Sequence, residues 1–160
     1  MRFPIKEIEQ ADDSAICKII KNVGAEFGAV GDGFGPSDAE VLAMSQHYHK
    51  SSRSVYLVAK LKDKIVGGCG IAPFDDTGTV CELKKLFLLP ESRGLGIGRE
   101  LTQQCLAFAA EAGFKECYLD TLQNMTAAIA LYKKLGFTQL DQPLPGTEHN
   151  GCDVWMLKRL

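Results

Sequence analysis

The sequence predicts an α/β (α+β) chain with a mixed, mostly antiparallel sheet flanked by helices. The order is β-α-α-β-β-β-α-β-α-β-β, in one domain spanning residues 1–160. Three observations carry this. The strand-like run Leu83–Leu89 ends at Pro90 and leads through Arg93-Gly94-Leu95-Gly96-Ile97-Gly98 into a helical pattern. In that pattern Ile97, Leu101, Cys105, Phe108 and Ala112 recur at spacings of four, four, three and four. Short apolar runs separated by turn residues then fill most of the remaining chain.

Taken in order, residues 2–8 suit a first strand. Asp12 or Asp13 can cap a helix reaching about Val23, with Ile16, Ile19, Ile20 and Val23 as its apolar stripe. Gly24 to Pro36 holds five glycines with Phe27 and Phe34, which predicts an irregular loop. Ser37 or Asp38 can cap a second helix running to about His49. Val55–Lys60 and Lys64–Ile71 read as strands joined by a turn at Lys62-Asp63. Thr79–Leu89 is a long strand feeding the glycine-rich turn. Glu116–Thr121 reads as a strand, and Met125–Leu135 as a helix stopped by Gly136. Phe137–Asp141 and Cys152–Lys158 close the chain as an antiparallel pair.

The glycine-rich turn is where chemistry first shows. A helix N-terminus offers unpaired backbone N–H groups and the positive end of the helix dipole. Glycine removes the Cβ that would hold an anion off. Together these make a phosphate or pyrophosphate site. A Walker A loop would need Lys and Ser/Thr after its last glycine, and Arg99 and Glu100 follow Gly98 instead. A dinucleotide fingerprint would need a third glycine where Arg99 stands. The pattern Arg/Gln-x-x-Gly-x-Gly/Ala is met in full by Arg93, Gly96 and Gly98.

With that turn, the chain resembles the GNAT superfamily of N-acetyltransferases. Glu82 to Ser92 is similar to that family's fourth strand and its exit. Ala127-Ala128-Ile129-Ala130-Leu131-Tyr132-Lys133-Lys134-Leu135-Gly136-Phe137 is similar to its second cofactor motif. The resemblance covers roughly residues 55–140, with both blocks in the family's order and spacing.

The resemblance implies an acetyl-CoA-dependent N-acetyltransferase acting on a primary amine of a small molecule or peptide. Its cofactor contacts would be the backbone of Leu86, Phe87 and Leu88 for the pantetheine arm. Arg93, Gly94, Leu95, Gly96, Ile97, Gly98 and Arg99 would hold the pyrophosphate, with Asn124 and Lys134 beside the cofactor. A backbone N–H near Leu88 could polarise the thioester carbonyl. Tyr132 matches the family's general acid for the departing thiolate. Glu82, on the long strand, is the candidate base, with Asp120 on the neighbouring strand in reserve. Met125 stands where many members carry an Asn, so its amide contact is missing unless Asn124 takes it over. The acceptor would be framed by Gly24–Pro36, the second helix and the Pro143–Asn150 loop, with Phe27, Phe34, Tyr48, Glu148 and His149 as contacts. A non-catalytic acyl-CoA-binding sensor is the alternative.

Composition bounds these readings. Hydrophobic content of 46% and charged content of 24% are ordinary for a globular chain. No run approaches a membrane span, and residues 1–7 lack an apolar signal core, so no membrane partner and a cytoplasmic location are expected. The net charge of −2 argues against nucleic acid. Arg93, Arg99, Lys133 and Lys134 nevertheless gather around the two motif blocks, as a polyphosphate ligand would need. Cys17, Cys69, Cys81, Cys105, Cys117 and Cys152 show no Cys-x-x-Cys spacing and lie mostly in apolar runs, so reduced, structural thiols are expected. His47, His49 and His149 read as surface residues, and no metal is expected. A monomer or homodimer is compatible with all of this.

Overall fold

The computed structural model of the chain describes residues 3–147 and 149–160. Among the described residues, seven strands form one sheet: β1 (Ile5–Glu7), β2 (Val55–Leu61), β3 (Lys64–Pro73), β4 (Val80–Leu88), β5 (Glu116–Thr121), β6 (Thr138–Leu140) and β7 (Val154–Arg159). Their spatial order is β1-β2-β3-β4-β5-β7-β6. Every neighbouring pair is antiparallel except β4 with β5. Three α-helices, α1 (Asp13–Glu26), α2 (Ile97–Glu111) and α3 (Thr126–Lys134), and several 3₁₀ segments accompany the sheet in the described residues. The parallel β4–β5 pair needs a crossover, and α2 supplies it.

Both faces of the sheet are covered, and the side-chain alternation of β2 shows the division. Val55, Leu57 and Ala59 pack in one core with Ile97, Leu101 and Cys105 of α2. Tyr56 and Val58 pack in the other with Ile16, Ile19, Ile20 and Val23 of α1. The stripe read from the sequence is thus the buried face of α1. The β2–β3 hairpin turns at Lys62 and Asp63, both at positive φ (52° and 65°), as a two-residue hairpin requires.

The expected second helix is not an α-helix. Its residues form a 3₁₀ segment at Ala39–Gln46, broken at Ala43 (φ −150°, ψ 62°), with shorter 3₁₀ turns on either side at Gly35–Ser37 and Lys50–Ser52. Tertiary contacts explain the change. Asp38 and Glu40 are drawn to lysines on β4, and the backbone and hydroxyl of Ser45 are held by Asp13 at 2.8 and 2.6 Å. The two buried apolar residues, Val41 and Met44, lie three apart, the period of a 3₁₀ turn.

A bulge interrupts β4. Gly70 pairs with Lys84 and Gly68 with Phe87, so Cys69 faces two residues, Lys85 and Leu86. Lys85 takes a left-handed φ of 55°. The Tyr56 hydroxyl donates to its carbonyl at 2.8 Å inside the fold. The Tyr56 ring lies so close to β3 that a Cβ at Gly68 or Gly70 would come within 2.4 or 2.7 Å of it. Gly68 and Gly70 therefore make room for the ring that holds the bulge.

All six cysteines are free, and Cys69, Cys81, Cys105 and Cys117 are buried in the core on the α2 face.

Removing the Tyr56 hydroxyl should leave the Lys85 carbonyl without its partner. Urea denaturation of Tyr56→Phe should show a loss of about 1–2 kcal/mol. Gly68→Ala should cost about 1–3 kcal/mol through overpacking against the ring. Wild-type stability in both would mean that the ring does not hold the bulge.

Candidate functional site

The site begins where the sheet comes apart. β4 and β5 pair only at Val80–Glu116, Cys81–Cys117 and Glu82–Tyr118. Beyond Glu82, β4 keeps only β3, and beyond Tyr118, β5 keeps only β7. The backbone edge of β4 toward β5 is thus left without a strand partner, and its polar groups need water or a ligand. A groove of about 430 Å³ follows this edge. Leu86, Phe87 and Leu88 line one side, and Asn124, Met125 and Leu131 the other.

The glycine-rich turn closes one end. Gly94 and Gly96 sit at φ 78° and 89°, with nothing within 4 Å of where a Cβ would stand. Gly96 is the N-cap of α2, so the free N–H groups of the first turn open beside it. Arg93, Gly94, Gly96, Ile97, Gly98 and Arg99 all line the groove, whereas Leu95 is 43% exposed and does not. The Arg93 guanidinium is already engaged. It pairs with Glu26 at 2.7 and 2.8 Å and donates to the Leu88 carbonyl at 2.9 Å, clipping α1 to the end of β4. Asn124 lines the groove, but its amide donates to the Phe27 carbonyl at 2.9 Å. Met125 accepts a contact from the Thr121 hydroxyl through its sulfur at 3.3 Å. Lys134 is exposed on the last turn of α3 and is not among the groove residues.

At the other end the groove meets a small chamber of about 70 Å³, and Phe27, Leu86, Phe87 and Met125 belong to both. Glu82, Asp120 and Tyr132 line this chamber together. Sheet geometry brings the acids together: Glu82 pairs with Tyr118, and Asp120 lies two residues on, hence on the same face. Tyr132 is 6% exposed, and its ring lies 5.7 Å from that of Phe137. Burial drives its hydroxyl well above the usual phenol range, so it stays protonated at neutral pH.

His149 overturns the reading of it as a surface residue. It is 7% exposed and lines the chamber. Its Nδ1 lies 3.0 Å from Asp120 and 3.6 Å from Glu82, and its Nε2 lies 2.8 Å from Asp38. Carboxylates on both ring nitrogens demand a proton on each, so the ring is an imidazolium. Burial works against that charge, but hydrogen bonds to Asp120 and Asp38, with Glu82 adding, raise its pKa to about 11. Burial likewise opposes the Asp38 charge, yet His149 and Lys85 bring it down to about 2. One side-chain atom each of Glu82, Asp120 and His149 lie within 4.8 Å of one another, but a ring protonated on both nitrogens has no lone pair to offer a metal ion.

The β4 bulge builds the rest of this network. Two successive lysines face the same way: Lys84 reaches Glu40 at 3.3 Å, while Lys85 reaches Asp38 at 2.8 Å and Glu40 at 3.1 Å. Phe27 and Phe34 line the chamber. Tyr48 does not, because its hydroxyl is bonded to Glu40 and its ring packs on Tyr56. Glu148 lies outside the described residues. Sequence reasoning missed Asp38, Glu40, Lys84 and Lys85 as one unit. A lone histidine in a loop carries no periodicity, and only the fold shows that scattered acids converge on it.

The imidazolium makes a pH prediction with a definite sign. A pKa raised from 6.5 to about 11 means that His149 stabilises fully below about pH 6.5 and loses that contribution as pH rises toward 11. The stability difference between wild type and His149→Gln, from urea melts between pH 6 and 9.5, should shrink as pH rises. The slope should approach about 1.4 kcal/mol per pH unit. A difference independent of pH would mean that His149 is neutral.

Comparison with known proteins agrees with this architecture. The acetyltransferase (GNAT) family matches residues 28–137. The uncharacterized N-acetyltransferase YjgM of Escherichia coli is 37% identical over 158 residues, covering 98% of this chain and 94% of that protein. Among solved structures, a GNAT-family acetyltransferase from Staphylococcus aureus superposes with a TM-score of 0.84 at 21% identity, covering 99% of each chain. A phosphinothricin acetyltransferase from Sinorhizobium meliloti, in complex with acetyl-CoA, gives 0.78 at 21% identity, covering 100% of this chain and 89% of that one. The structures speak for the fold, while the family match and the Escherichia coli relative speak for descent. The chain belongs to the GNAT acetyltransferase family and is an acyltransferase.

Proposed function

We propose that this protein is an acetyl-CoA-dependent N-acetyltransferase that acylates a primary amine by direct attack. One observation carries the reading: β4 and β5 part immediately after Glu82–Tyr118, and the opening runs from a glycine-lined helix N-terminus to a chamber holding an acid and two carboxylates. That acetyl-CoA accompanies the Sinorhizobium meliloti structure supports the same cosubstrate here.

In this reading the pyrophosphate rests on the turn around Gly94, Gly96 and the first amides of α2. The pantetheine arm lies along the open edge of β4 at Leu86 to Leu88, its amides bonding the backbone as an added strand would. The acetyl group then points into the chamber, and a backbone N–H of β4 steadies the carbonyl oxygen as charge builds there. The amine enters from the opposite side. An aliphatic ammonium must lose a proton before it attacks, and Glu82 takes it, directly or through water, with Asp120 as the second carboxylate. Nitrogen bonds to the acetyl carbon, the C–S bond breaks, Tyr132 delivers its proton to the sulfur, and the surplus proton shed by the new amide nitrogen restores the tyrosine. Burial keeps that proton in place until the thiolate forms.

By calorimetry, acetyl-CoA and CoA should bind far more tightly than NAD or ATP. Gly96→Val should abolish that binding, because a branched side chain at φ 89° is strained and fills the open space beside the turn. Equal affinity for NAD would overturn the cofactor assignment. Tyr132→Phe keeps the ring and removes the hydroxyl, so turnover should fall about 10²–10⁴-fold with acetyl-CoA affinity nearly unchanged. Full turnover in an assay limited by chemistry would make Tyr132 a packing residue only.

A further inference from the structure

The charges around the chamber narrow the acceptor further, on the reading that the chamber receives the acceptor amine. Among the described residues, three cations belong to this network: Lys84, Lys85 and His149. Each is already held by carboxylates, Lys84 by Glu40, Lys85 by Asp38 and Glu40, and His149 by Asp38 and Asp120. Four carboxylates, Asp38, Glu40, Glu82 and Asp120, face these three cations, leaving one negative charge in excess. Glu82 has the loosest tie of the four, its nearest cationic atom being His149 Nδ1 at 3.6 Å.

We propose that the acceptor is a primary amine on an apolar body, with no carboxylate beside the amino group, rather than an α-amino acid. An incoming ammonium supplies the one positive charge that the network lacks, and Glu82 is placed to receive it. A carboxylate on the adjacent carbon would enter the same small chamber and find, among the described residues, no cation free to meet it. It would have to break an existing pair or remain buried and unpaired, and either is strongly unfavourable. A chamber of about 70 Å³ receives the amino end, and its remaining walls suit the adjoining carbons: Phe27, Phe34, Pro36, Leu119 and Leu122 line it.

Matched pairs that differ only by the carboxylate test this directly: phenethylamine against phenylalanine, and 3-methylbutylamine against leucine. CoA release with acetyl-CoA should favour the amine of each pair by at least about 100-fold in kcat/KM, and Glu82→Gln should shrink that ratio. Equal or better turnover of the amino acids overturns the proposal, as does a ratio untouched by Glu82→Gln. Binding of the same pairs, followed by thermal shift with and without CoA, separates the two readings. Stabilisation by the amines alone supports the acceptor class even if no acetyl transfer is seen. Acetyl-CoA binding without stabilisation by either amine overturns the acceptor class and leaves the cofactor reading standing.

Discussion

One extra residue in β4, held by the Tyr56 hydroxyl, sets the position of nearly everything that matters here. Up to the bulge, Cys81 and Leu83 face the α2 core, and Glu82 and Lys84 face the α1 side. After it the parity is reversed: Phe87 joins the α1 core, while Leu86 and Leu88 pack toward α2. A bulge bends its strand and locally disrupts pairing. Here the bulge lies just beyond the last β4–β5 pair, Glu82–Tyr118, and the groove runs along the edge of β4 that follows. The glycines of β3 serve the same end, since any side chain at Gly68 or Gly70 would expel the Tyr56 ring.

The reversal also places two consecutive lysines on one face, where alternation would have sent Lys85 into the opposite core. Their charges are met by Asp38 and Glu40, whose segment gives up an α-helix to reach them. Asp38 in turn holds His149, and His149 holds Asp120, so that the segment after α1, strand β5 and the loop before β7 are bound through one chain of ion pairs. Desolvation offsets much of the attraction in buried pairs of this kind, but losing one partner leaves the others unpaired, so the pairs fix positions. What this network fixes is the wall of the chamber and the orientation of the carboxylates in it.

Groove and chamber divide the chemistry by environment. At the turn, backbone N–H groups and open space could meet an anion with no side-chain charge required, while the Arg93 guanidinium is tied to Glu26 and Leu88. In the chamber the charges are dense and balanced to within one unit, and Tyr132 is shielded enough to keep its proton. A thioester lying between the two would have its phosphates in the polar, solvent-facing part and its reactive carbon against the enclosed part.

Elements that depend on local order were legible in the sequence. The apolar stripe of α1, the four-four-three-four repeat of α2, the Lys62-Asp63 hairpin and the glycine turn before α2 are all short-range patterns, and all form the elements they imply. Family resemblance then indicated Tyr132 and Glu82, which the fold brings to one chamber. Tertiary structure alone decided the rest. The segment from Asp38 to His49 has helical capping signals, yet long-range ion pairs to β4 outweigh them and leave 3₁₀ turns. The bulge at Lys85 has no signature in the alternation of β4, because it is imposed by Tyr56 from another strand. His149 looked like loop surface because its three carboxylate partners lie on the 38–40 segment, β4 and β5. Charge pairing across such distances leaves no periodic trace in a sequence. It is set only when the chain closes, since burying each charge is tolerable only where its partners already stand.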